Sequence, residues 1–137
     1  MLRSLVSLAL LGSPLAMPTL SAGTPAPDPL LGRWWNSDGT VAVDVAPCAA
    51  FVCGRVVHAE KGQQEKARRA GVAQMLGLVV MRDFARVGPR KWKGIAFVPE
   101  RNRSVQASIT AVAADRVKVE GCIFVILCRH EVWRRNR

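Results

Sequence analysis

Ser104-Val105-Gln106-Ala107-Ser108-Ile109-Thr110-Ala111-Val112 decides the fold. Val105, Ala107, Ile109 and Ala111 alternate with Ser104, Gln106, Ser108 and Thr110. A strict period of two puts one set on each face of a pleated strand, so this is a strand with one buried side. Downstream, residues 116–120 alternate again, with Val117 and Val119 set against Arg116, Lys118 and Glu120. Residues 122–127 are continuously apolar, and residues 130–134 make a final short strand. Upstream, residues 91–98 end at Pro99, and residues 75–84 precede a turn at Val87-Gly88-Pro89. Residues 51–58 follow Pro47, and residues 40–45 place Val41, Val43 and Val45 on one side. Asp38-Gly39 is a hairpin signal that pairs 40–45 with 33–36. About eight strands at regular spacing predict an all-β, closed antiparallel barrel, with a sandwich as the other architecture that fits. Only residues 60–70 break the pattern. They are polar and lack β-branched side chains, which suits a short solvated helix or a mobile loop.

The chain has 137 residues, half of them apolar and 22% charged, with 20 Lys and Arg against 10 Asp and Glu. That is one small basic domain, too apolar for a disordered tail. Outside the N-terminus no apolar run approaches the ~20 residues of a membrane span. Arg3, the apolar residues 5–11, Pro14 and the small residues Ser21, Ala22 and Gly23 read as a secretory signal peptide over 1–23. Cleavage after Ser21 and after Gly23 both fit. The rival, an uncleaved anchor, is disfavoured by an apolar core too short for ~30 Å of hydrocarbon. Gly23 stands where a lipobox needs Cys, and Arg3 is not part of an arginine pair, so neither a lipid anchor nor a twin-arginine route is indicated. The expected location is periplasmic or secreted. Losing 1–23 removes one positive and no negative charge, so the basic character belongs to the folded part. Residues 24–30, with Pro25, Pro27 and Pro29, read as a tether before a barrel domain over 31–137.

Cys48 and Cys53 lie close together, as do Cys122 and Cys128. In an oxidising compartment these pairs suggest two local disulfides, although four cysteines allow three connectivities. The alternative is a four-Cys zinc site with His130 nearby. Structural zinc sites favour tighter knuckles, so no metal is expected.

No catalytic residue and no cofactor is expected. His58 and Glu60 would share a strand face, an arrangement that suits a general base or an ordinary strand end equally. No phosphate loop or helical metal motif is present. Trp34, Trp35, Trp92 and Trp133 are either core or a stacking wall. Adjacent Trp34 and Trp35 point to opposite faces, so at least one lies at the exterior or the mouth. Trp34 and Trp133 read as core, and Trp35 and Trp92 as ligand contacts. The small side chains Ala107 and Ala111 would either leave interior room or fit a narrow barrel. Basic clusters at 66–69, 82–93, 101–103 and 134–137 form either a polyanion-binding surface or an ordinary solvated one. Export makes genomic nucleic acid an unsuitable partner and favours acidic polymers or lipids.

Gly32-x-Trp34 resembles the opening of lipocalin-like barrels, in which the Trp plugs one end. The wider pattern is similar to the small secreted bacterial proteins catalogued as domain of unknown function 2147. It is carried by Gly32-x-Trp34, Asp38-Gly39-Thr40, Cys48, Cys53-Gly54-Arg55-Val56, Leu76-Gly77, Trp92-Lys93-Gly94, Pro99, Val119-Glu120-Gly121-Cys122 and Trp133-Arg134 in a Trp-x-Arg-like ending. The sequence departs from the family at residues 61–69, where an Asp/Asn-rich stretch with a proline is usual. Trp92-Lys93-Gly94 also stands where two glycines are more common, and Arg101-Asn102-Arg103 replaces a Gly-Lys turn. The resemblance implies an exported lipocalin-like barrel without established catalysis, plugged by Trp34 and closed by Trp133 with Arg134. The function expected is binding of a small, partly apolar or amphipathic molecule in the barrel mouth. The alternative is an envelope interaction or inhibitor module using basic loops and an exposed Trp.

Overall fold

The computed structural model describes residue 9, residues 11–124 and residues 126–137. Arg3 and most of the apolar stretch read as a signal lie outside the described residues. Residues 11–27 carry no helix or strand, and nearly all are exposed.

Eight strands follow in order: β1 Gly32–Trp35, β2 Val41–Cys48, β3 Phe51–Ala59, β4 Val79–Gly88, β5 Lys91–Val98, β6 Arg103–Ala113, β7 Arg116–Ile123 and β8 Leu127–Arg134. Each pairs antiparallel with the next, and β8 returns to β1 through Trp35 opposite Arg134, closing a barrel. Closure removes most of the unpaired strand edge that a sandwich would leave exposed. The hairpin at Asp38-Gly39 forms as its residue types require. Gly39 takes φ +68°, and Asn36 Oδ1 accepts from the Thr40 and Val41 amides at 2.9 and 3.0 Å.

Residues 60–70 are a helix, not a mobile loop. α1 spans Lys61–Arg69, buries Ala67 and packs against a 3-10 turn at Pro99–Arg101. It ends at Gly71, whose φ of +98° suits a residue without Cβ.

Residues 28–30, expected in the tether, are part of the packed domain. Leu30 is buried in the core, and its amide donates to Asp28 Oδ1 at 2.9 Å. Residues 75–78, expected to begin a strand, form the turn before β4. The apolar run 122–127 belongs to the β7–β8 hairpin, because Cys122 pairs with Cys128 and Ile123 with Leu127 across it.

The core is one cluster running through the barrel. Strand β4 carries an extra residue between Arg82 and Ala85, where Asp83 takes φ +57° and lets Phe84 turn inward. A Cβ on Gly94 would meet Phe84 atoms at 2.6 to 2.8 Å, and Ala107 stands opposite Gly94 in register. At Gly94 the missing side chain therefore makes the space that the Phe84 ring takes. Gly54 gives way to Met81 and Val43 in the same manner, since its Cβ would lie 2.8 Å from both.

Candidate functional site

Trp34 is 1% exposed and its Nε1 donates to the Leu30 carbonyl at 2.8 Å. The Arg135 guanidinium lies 4.1 Å from the ring centroid and donates to the carbonyls of Leu31 and Pro29 at 2.8 and 2.7 Å. A Cβ on Gly32, whose φ is +110°, would stand 2.6 Å from Arg135 Nη1. Gly32, Trp34 and Arg135 thus form a stopper at one end of the barrel. Trp133 is half-buried opposite Val117, and its Nε1 donates to Glu131. Arg134 supplies the backbone pairing to β1, while Arg135 covers the Trp34 ring. Sequence reasoning gave barrel closure to Trp133 with Arg134 and assigned no role to Arg135. The Trp-x-Arg spacing of the family ending was the signal that could have pointed to Arg135.

Trp92, expected to contact ligand, is 0% exposed and donates to Asp28 Oδ2 at 3.1 Å, with Arg86 5.4 Å from its ring. Its indole is committed to the core and to the segment before β1. Trp35 points the other way from Trp34, as alternation requires. It is half-buried on the outer wall, 5.2 Å from the His58 ring and 5.1 Å from the Arg137 guanidinium. Glu60 pairs with Arg137 rather than with His58, whose Nε2 is buried without a hydrogen-bond partner. The carboxylate that would orient His58 as a base is engaged elsewhere.

The sulfurs pair as Cys48–Cys53 and Cys122–Cys128. The first pair clips the β2–β3 hairpin and the second the β7–β8 hairpin, and successive hairpins alternate between barrel ends. Sulfurs joined pairwise at opposite ends leave no thiolates for a four-Cys zinc site. Glu120 lies near the Cys122–Cys128 sulfurs, but a bonded pair offers no thiolate ligand there. His130 sits opposite Glu120 in β8.

Among the described residues two surface clefts stand out, and neither is lined by a buried core residue. The first, about 260 Å3, is bordered by Trp35, Asn36, Thr40, Arg134 and Arg137. The second, about 290 Å3, lies beside the β7–β8 hairpin and combines Arg82 and Arg103 with Ile95, Val105, Ile123 and Phe124. Both put arginine beside apolar or aromatic surface. The sequence singled out Trp35 for the first cleft. It did not single out Ile95 or Phe124 for the second, because the cross-strand register that brings them together has no local signature.

A small closed antiparallel barrel with a Gly-x-Trp stopper defines a lipocalin-like fold. The chain belongs to the bacterial family described as uncharacterized protein conserved in bacteria (DUF2147), which matches residues 32–135. A solved structure from Helicobacter pylori, described as belonging to the lipocalin family, is similar in fold. It aligns with a TM-score of 0.62 at 12% identity over 79% of this chain and 83% of that one. No curated protein matches the chain in sequence. Among the described residues no helix is long and apolar enough to cross a membrane.

Proposed function

We propose that this protein is an exported, non-catalytic interaction module that binds an acidic envelope partner through its outer surface rather than carrying cargo inside its barrel. The supporting observation is that Trp34, Trp92, Phe84 and Met81 fill the interior, while both clefts lie outside the core and are flanked by arginines. With twice as many basic as acidic residues, such a surface attracts polyanions and does so in a salt-dependent way. The half-exposed Trp35, between Arg134 and Arg137, is the aromatic contact this reading uses.

The test is association with dextran sulfate against neutral dextran as salt rises from about 50 to 200 mM. Affinity for the acidic polymer should fall about tenfold or more, with no binding to the neutral one. Binding indifferent to salt and polymer charge would overturn the reading. The second reading, a small partly apolar ligand, is favoured by the cleft that sets Arg82 and Arg103 over Ile95 and Phe124. Native mass spectrometry followed by organic extraction decides for it if a discrete amphiphile co-purifies.

A further inference from the structure

The β7–β8 hairpin carries the largest concentration of exposed apolar side chain in the folded domain. Phe124 is 80% exposed, Ile126 86% and Leu127 64%, whereas the other exposed large apolar residues of the barrel stand apart and reach at most 54%. Single exposed hydrophobics are ordinary, but three together on a turn are not. The Cys122–Cys128 disulfide closes this turn, and Phe124 adopts φ +56°, a left-handed conformation that a bulky aromatic rarely takes. Strand β1 meets β8 only at Arg134, so among the described pairings the start of β8 is held by β7 alone. The start of β8 is therefore held by β7 and the Cys122–Cys128 clasp.

Its surroundings are basic. Arg82 and Arg103 line the cleft that Phe124 borders, and Arg129 stands in β8 opposite Gly121. At the same end, α1 brings Arg68 and Arg69 against the Pro99–Arg101 turn, which ends on Arg101. The nearby acids are Glu65, which pairs with Arg69, Asp83, which pairs with Arg82, and Glu100 and Glu120. The arginines outnumber them. Apolar side chains on one hairpin turn, flanked by cations, match a bilayer with anionic headgroups: the tip enters the acyl boundary and the arginines stay at the phosphates.

We propose that the β7–β8 tip docks the barrel onto anionic lipid bilayers. This takes the acidic-partner reading one step further by naming a lipid surface, and it uses residues outside the Trp35 cleft. The test is cosedimentation of the full chain with phosphatidylglycerol and with phosphatidylcholine vesicles. Binding is expected to phosphatidylglycerol only and should weaken as salt rises. The double variant Ile126→Ser with Leu127→Ser should lose at least about tenfold in partitioning, with the melting temperature and dextran sulfate binding unchanged. If the variant binds vesicles as well as the parent, or the parent binds none, the proposal fails. It also fails if ultracentrifugation shows that Ile126 and Leu127 instead hold a second copy of the chain. A parent chain that binds phosphatidylglycerol vesicles but not dextran sulfate would sink the Trp35-cleft reading and leave the tip standing.

Discussion

At Gly32 two requirements coincide. Its φ of +110° is closed to side chains, and the space a Cβ would take is occupied by Arg135 Nη1. Gly32→Ala therefore strains the backbone by about 1–3 kcal/mol and displaces the guanidinium that covers Trp34. Urea unfolding should show the midpoint lowered, while Gly62→Ala, at a helical position with open space around it, leaves the midpoint unchanged or raises it slightly. The residue scale is also where the sequence was least legible. Trp92 and Trp35 look alike in a list of aromatics, yet Trp92 sits in the core with its Nε1 donating to an Asp28 carboxylate 64 positions away. Arg135 was similarly hidden among four consecutive polar residues, since nothing local separates a stacking arginine from its neighbours.

At the scale of elements, alternation was enough for β6 and β7, and residue type was enough to locate α1. The apolar run 122–127 was harder, because an unbroken apolar stretch usually marks chain buried on both sides. Here the cysteine pair closes the hairpin and leaves Phe124 and Ile126 outside the sheet. Each clasp closes a short loop and so contributes about 2 kcal/mol by restricting the unfolded chain. Reduction should lower the melting temperature by several degrees per clasp, and calorimetry with and without reductant checks this. Unchanged melting would mean the clasps contribute nothing to stability.

The β1–β2 pair offers a pH test. Arg33 donates to both Asp44 oxygens at 2.6 and 2.9 Å, and that hydrogen bonding holds the Asp44 carboxyl below its ordinary range. A lowered folded value means the pair stabilises above the ordinary carboxylate pKa of about 4 and loses that contribution as pH falls through the folded value. Asp44→Asn should therefore be less stable than the parent at pH 7, with the difference closing as pH falls below the ordinary carboxylate range through the lowered folded value. A difference that persists in acid would place its origin elsewhere. The pair is exposed, so the effect is small.

For the whole molecule, the closed barrel could be read from strand count and spacing, because few architectures accommodate eight short strands in about a hundred residues. How the interior packs could not be read, since Phe84 meets Gly94 across two strands and Ala107 stands opposite Gly94 on a third. A surface charge surplus was visible from composition. Its division between a Trp35 cleft and an apolar tip required the register.

The guanidinium that stops the barrel reaches back 104 positions to the Leu31 carbonyl. A chain synthesised from its N-terminus exposes Trp34 long before Arg135 exists, so the barrel cannot seal while it is still being made. Contacts this distant in sequence also form slowly. The cover over Trp34 is thus among the last contacts that synthesis makes available.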